Sequence, residues 1–203
     1  MHPTEWQAIA GLLMWYDKFF LIITIEIMSH YRRNYVRGGT FFFTVKLANP
    51  QSRFLVEHID LLRESYAYVQ KRYPFETVAV CVLPNHIHAV WTLPDGDDDY
   101  SLRWKLIKRR FSDYFPHTDG RSDSKLKRHE KGIWQRRFYE HTVVDEADLR
   151  RCVDYVYFNP VKHGLVGVVR DWPFSSFHRD AKNGLFPLDW GGLRESAVMN
   201  LGE

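Results

Sequence analysis

Apolar and polar positions along this chain switch between a strand period and a helix period. The run TFFFTVKL, Thr40 to Leu47, is rich in aromatic and β-branched residues and predicts a strand that Asn49-Pro50 ends. Over residues 52–72 apolar side chains recur at Phe54, Leu55, Ile59, Leu62, Tyr66 and Val69, a helical spacing stopped by Pro74. ETVAVCVL, Glu76 to Leu83, and HIHAVWTL, His86 to Leu93, read as two further strands. Only Pro84-Asn85 separates them, so an antiparallel hairpin is expected. The acids between Pro94 and Asp99 favour the start of a helix over Tyr100 to Tyr114. Pro116 to Gly132 is polar and reads as a loop or insertion. Trp134 to Val143 fits a strand, and Asp145 to Phe158 a helix. Asn159-Pro160 is expected to end that helix, because a residue before proline resists the α region. Beyond it, Trp172-Pro173-Phe174, Phe186-Pro187 and Gly191-Gly192 predict an irregular tail wrapped on the domain.

This order of elements predicts an α+β fold, an antiparallel sheet with its helices packed on one face. A chain of 203 residues, 45% of them hydrophobic, can bury a sizeable core in one domain. The apolar run Trp6 to Ile27 is broken by Asp17, Lys18 and Glu26, which argues against a membrane span. It also lacks the basic start and small-residue cleavage site of a secretory signal. Residues 1–27 are therefore expected to lie outside the functional domain, with residues 28–190 forming that domain and 191–203 a C-terminal tail. Cys81 and Cys152 sit among apolar residues, outside any CxxC pair. They read as buried thiols of a reducing, cytoplasmic compartment.

The net charge of +3 is too small to name a partner, but its distribution says more. From Ser101 to Arg137 there are twelve Lys or Arg against four Asp or Glu, a local excess of +8. Such a run is either a solvated helix face or a surface that tracks phosphates. Interleaved Trp104, Phe111, Tyr114, Phe115 and Trp134 favour nucleic acid, because aromatic rings stack on unpaired bases.

His86 and His88 stand two apart on a predicted strand, so both imidazoles point to one face and can converge on a metal ion. Alone, the pattern is weak and favours two ordinary histidines. Tyr155 and Asn159 are four apart and share one face of the last predicted helix, whereas Tyr157 projects to nearly the opposite side. One face thus offers a phenol and a carboxamide oxygen. The plainer alternative is a core tyrosine and a helix-capping asparagine.

Several separated motifs, in order, resemble one family. They are Pro84-Asn85-His86-Ile87-His88, Trp134-Gln135-Arg136-Arg137-Phe138 and Tyr155-Val156-Tyr157-Phe158-Asn159-Pro160-Val161-Lys162-His163-Gly164. Together with Tyr31-Arg32-Arg33, Gly38-Gly39-Thr40 and the stretch from Trp172 to Asp180, they are similar to the single-tyrosine HUH transposases. The closest branch is the one associated with repetitive extragenic palindromes, the REP-associated tyrosine transposases. The resemblance runs from about Met28 to Trp190, and Pro116 to Gly132 looks longer than the family's usual connection.

The resemblance implies a ferredoxin-like sheet with His86 and His88 as metal ligands and Tyr155 as nucleophile. Asn159 would stand where related transposases often have a glutamine as third ligand. It further implies Mg²⁺ or Mn²⁺ as cofactor, hairpins of single-stranded palindromic DNA as partner, and a 5′-phosphotyrosine intermediate. The protein would work as a monomer or homodimer, without a membrane, on nucleoid DNA. Arg103, Lys105, Lys108, Arg109 and Arg110 are the expected phosphate contacts, with Arg32 and Arg33 near the start. The rival from another class is a domesticated, non-catalytic hairpin-binding protein. A zinc deaminase would need HxE and a CxxC pair, and this chain has neither. A two-tyrosine HUH enzyme would need both phenols on one face, which Tyr155 and Tyr157 do not supply.

Overall fold

A computed structural model of the protein describes residues 33–116 and 131–191. The chain divides into two compact units, Met1–Asn34 and Tyr35–Glu203. Arg33 belongs to the first. The expectations for residues 1–27, for Arg32, for most of the 116–132 insertion and for the tail beyond Gly191 lie outside the described residues.

In the second unit the elements run β1 (Thr40–Lys46), α1 (Phe54–Glu57), α2 (Ile59–Arg72), β2 (Glu76–Val82) and β3 (His86–Thr92). They continue with α3 (Tyr100–Asp113), β4 (Tyr139–Thr142), α4 (Glu146–Lys162), a 3₁₀ turn (Val169–Asp171) and α5 (Phe177–Lys182). The four strands form one antiparallel sheet in the order β2-β3-β1-β4. Chain order and sheet order together are those of a ferredoxin-like β-α-β-β-α-β unit.

The two helices of that unit, α2 and α3, share one face of the sheet, as expected. Phe41, Phe43 and Val45 of β1 and Ile87, Ala89 and Trp91 of β3 meet Leu62, Val69, Tyr100, Trp104, Ile107 and Phe111 there. The Trp91 and Trp104 rings stack with centroids 4.2 Å apart. The expectation of helices on a single face needs one correction, because α4 packs on the other face. It brings Cys152, Val153, Val156 and Tyr157 onto Phe42, Ala79, Cys81 and Val90. The physical reason is the composition of β1 and β3. Successive side chains of a strand alternate between faces, yet both strands are buried at almost every position. Two apolar faces need two covers. The apolar spacing 149, 152, 153, 156, 157 gives α4 the stripe that supplies the second.

Three local boundaries differ from the sequence expectation. The first helical segment breaks at His58, whose φ of −120° and ψ of 36° leave the helical region. The strand expected from Trp134 contracts to Tyr139–Thr142, preceded by a single bridge between Trp134 and Leu47. Most important for the site, α4 runs through Pro160 to Lys162. Proline there removes one amide donor near the end of the helix. The last turn is closed instead by bonds from His163 N to Asn159 O, Gly164 N to Val161 O and Leu165 N to Pro160 O. Gly164, at φ 65°, supplies the left-handed residue that lets the chain leave.

Arg103 is a structural residue of this fold, which corrects its expected role at a DNA phosphate. It is 3% exposed and grips Asp97 through two guanidinium nitrogens, at 3.1 and 2.6 Å. Its remaining donors reach the carbonyls of Tyr73, Pro74 and Asp99. Arg103→Ala is expected to cost about 2–3 kcal/mol of folding free energy, because buried carbonyls lose charged donors. Exposed Arg109→Ala should change stability by less than about 0.5 kcal/mol. Urea unfolding of the two variants checks this, and equal midpoints would refute the structural role.

Candidate active site

The face of the sheet covered by α4 carries the two histidines. Residues 42 and 44 of β1 lie in register with 90 and 88 of β3, so Phe42, Thr44 and His88 share that face. His86 lies one pleat farther along, opposite Lys46. Both histidines are buried, and their Nε2 atoms face each other at 3.1 Å.

Each ring is held from behind. His86 Nδ1 lies 2.6 Å from Asn85 Oδ1, and His88 Nδ1 lies 3.0 Å from Thr44 Oγ1. The amide nitrogen of Asn85 donates to the carbonyl of Pro50, which turns its oxygen toward His86. That oxygen only accepts, so His86 Nδ1 donates, and Nε2 of the neutral ring presents its lone pair. The Thr44 hydroxyl can donate or accept. The pair is therefore satisfied in two ways. Either His88 Nε2–H donates to His86, or His88 Nδ1–H donates to Thr44 and both Nε2 lone pairs turn on one cation. Metal-binding histidines are commonly oriented in this way by an acceptor on the far nitrogen.

The electrostatics agree. Complete burial holds the pKa of His88 well below its ordinary value, reinforced by His86, His163, Lys46 and Lys162. A neutral imidazole is the form that ligates metal. The donor set thus fits a divalent cation at the level of chemistry and orientation.

Tyr155 enters from α4. Its ring stands edge-on to His88 at 5.2 Å and to Phe42 at 5.7 Å between centroids, and it remains half-buried. Asn159 follows one turn later and is buried. Tyr157 is directed elsewhere. Its hydroxyl bonds to Asp180 and Ser176, and its ring meets Phe177 and Phe186. Burial first, then the Asp180 contact, push that phenol's pKa up. Tyr157→Phe is expected to destabilise the fold by about 1–2 kcal/mol while leaving Tyr155 chemistry intact. Thermal melting and an activity assay on the same preparation check both halves.

The expected phosphate contacts of the basic helix separate. Lys105 and Arg109 are exposed. Lys108 Nζ donates to the Gln135 carbonyl at 2.6 Å, and Arg110 pairs with Glu64 at 2.8 Å while lying over the Tyr68 ring. Their helix, α3, belongs to the face of the sheet opposite the histidines. Sequence reasoning alone assigns neither His163 nor Lys162 to the site. The His163 ring lies 5.3 Å from that of His86, and Lys162 Nζ stands 5.0 Å from the Tyr155 ring centroid. The available signal was spacing: residue 162 is seven after 155, two helical turns along one face.

His141 lies on β4 and reaches the first turn of α4. Its Nε2 meets Asp148 at 2.8 Å, with Cys152 completing a close group. Asp148 also accepts from the Val144 amide and Arg151, which ties the β4–α4 junction. Cys81 and Cys152 are both buried free thiols.

Two curated relatives share the chain at high identity. A REP-associated tyrosine transposase of Escherichia coli (strain K12) is 50% identical over 165 residues, which is 81% of this chain and 92% of the relative. A Haemophilus influenzae protein carrying the same family name is 47% identical over 166 residues, 81% of this chain and 94% of the relative. The chain belongs to the REP-associated tyrosine transposases. A solved structure of a REP-associated tyrosine transposase bound to a REP hairpin is 46% identical and superposes with a TM-score of 0.74. The match covers 86% of this chain and 96% of that one. No protein-family model matches the chain. Among the described residues, no helix of this transposase is long and apolar enough to cross a membrane.

Proposed function

We propose that this transposase cleaves and rejoins single-stranded DNA at palindromic-repeat hairpins, with Tyr155 as nucleophile. The observation that carries the reading is the convergence of His86 Nε2 and His88 Nε2 at 3.1 Å beneath the Tyr155 ring. A phosphodiester anion repels a phenolate, and a neutral histidine pair alone cannot offset that. Mg²⁺ or Mn²⁺ held by His86, His88 and the Asn159 carboxamide oxygen would neutralise charge developing on the phosphate.

The chain's own residues do the rest. Thr44 and Asn85 orient the imidazoles, and Phe42 and His88 hold the edge of the phenol. Tyr155 Oη forms a bond to phosphorus as the bond from phosphorus to O3′ breaks. The electron pair leaves on O3′, which takes up a proton, and the phenol's proton passes to solvent. The product is a 5′-phosphotyrosine that conserves the ester, so a 3′-hydroxyl of another strand can reverse the step without a nucleotide cofactor. A single attacking phenol means one strand cut per event.

The relative solved with a REP hairpin supports a hairpin as the partner. Exposed Lys105 and Arg109 are left as contacts to DNA away from the reacting phosphate, and Arg32 and Arg33 remain candidate DNA contacts by their charge alone. Such a substrate puts the protein to work on nucleoid DNA in the cytoplasm. A radiolabelled single-stranded hairpin with flanking bases, incubated with Mg²⁺ or with chelator, tests the reading. A slow-migrating covalent species in Mg²⁺ alone is expected. Tight hairpin binding without any adduct in Mg²⁺ or Mn²⁺ would make the protein a non-catalytic binder.

A further inference from the structure

The basic helix α3 is poorly placed to serve the reacting phosphate. It covers the opposite face of the sheet, and Arg103, Lys108 and Arg110 are engaged with protein groups. Among the described residues, the catalytic face carries two lysines close to the histidine pair. Lys46 ends β1 directly opposite His86. Lys162 lies in the last turn of α4, with Nζ 5.0 Å from the Tyr155 ring centroid.

Their need is physical. A helix C-terminus carries partial negative charge, which opposes an approaching anion. Asn159 and Lys162 belong to that C-terminal end of α4, and an ammonium there offsets the field. The influence of both lysines on His88 is a further sign that they stand near the pair.

We propose that Lys46 and Lys162 form a phosphate-holding pair, one from each side of the histidines, that seats the scissile phosphodiester against Tyr155. The inference rests on the strand-transfer reading above. Lys162 also steadies the Tyr155 ring through its cation–π contact. Neither lysine gains or loses a proton in the step. Each acts as a fixed ammonium donating to a non-bridging oxygen.

The test separates this pair from the parent reading. Wild-type protein first maps the cleaved phosphate on a labelled hairpin; if no adduct forms, the parent reading falls and the lysine pair with it. Binding is then measured in chelator in a Tyr155→Phe background, with either the normal phosphate or a neutral methylphosphonate at that position. The neutral linkage should weaken binding about tenfold, the size of one charge-assisted hydrogen bond. In Tyr155→Phe/Lys162→Gln the same replacement should cost twofold or less, and Lys162→Arg should restore the larger penalty. Lys46→Gln should behave like Lys162→Gln. An undiminished penalty in both glutamine variants, with wild-type adduct formation intact, would overturn the phosphate-holding pair.

Discussion

Tyr155→Phe is expected to leave no covalent protein–DNA species, while hairpin affinity stays within about twofold of wild type. Phenylalanine keeps the ring contacts with Phe42 and His88 at 5.7 and 5.2 Å and removes only the hydroxyl. Packing and charge on the catalytic face therefore barely change. The expected chemical loss is near total, because the hydroxyl that attacks phosphorus is gone. Tyr157 spends its hydroxyl on Asp180 and Ser176 inside the junction with α5. Losing a nucleophile typically costs about 10⁴-fold or more in rate, which takes adduct formation below detection. Adduct that persists in Tyr155→Phe and vanishes in Tyr157→Phe would reverse the assignment of the two tyrosines.

His88→Ala is expected to lower Mg²⁺-dependent cleavage by about 10³-fold, for a reason that a conservative neighbour separates from packing. The ring is wholly buried, stacks on Phe42 with centroids 5.6 Å apart, and is held neutral by its burial. Its removal takes away one of two converging nitrogens and leaves a hole, so the alanine variant also loses about 2 kcal/mol of stability. Thr44→Val keeps the shape of the site and removes only the hydroxyl 3.0 Å from His88 Nδ1. Loss of such an orienting partner costs about 10- to 100-fold. The predicted order is wild type, then Thr44→Val, then His88→Ala, with partial recovery of Thr44→Val at raised Mn²⁺. Equal activity of all three at saturating DNA would remove the metal site from the account.

Much of this site was legible in the sequence. A two-residue spacing on a strand put His86 and His88 on one face, and a four-residue spacing on a helix did the same for Tyr155 and Asn159. Both rest on short-range periodicity, which survives any tertiary arrangement. What escaped was long-range. Thr44 becomes the partner of His88 only through the β1–β3 register, 44 residues apart in sequence. Arg103 looked like its basic neighbours because its anchors on Tyr73 and Pro74 come from the end of a different helix. The assignment of all helices to one face failed because β1 and β3 are apolar on both faces, a property that an alternation argument overlooks. Ending α4 at Asn159 hid Lys162 and His163, which one further turn, tolerated despite Pro160, delivers to the site.

The covalent bond between Tyr155 and the 5′ side of the cut can be read directly. Wild-type protein should be reacted with a labelled single-stranded hairpin in Mg²⁺, digested, and the DNA-bearing peptide sequenced by mass spectrometry. One modified peptide, carrying the nucleotide on Tyr155, and a free 3′-hydroxyl on the released strand are expected. A nucleotide on any other residue, or cleavage with both ends free and no adduct under any divalent metal, would contradict that bond.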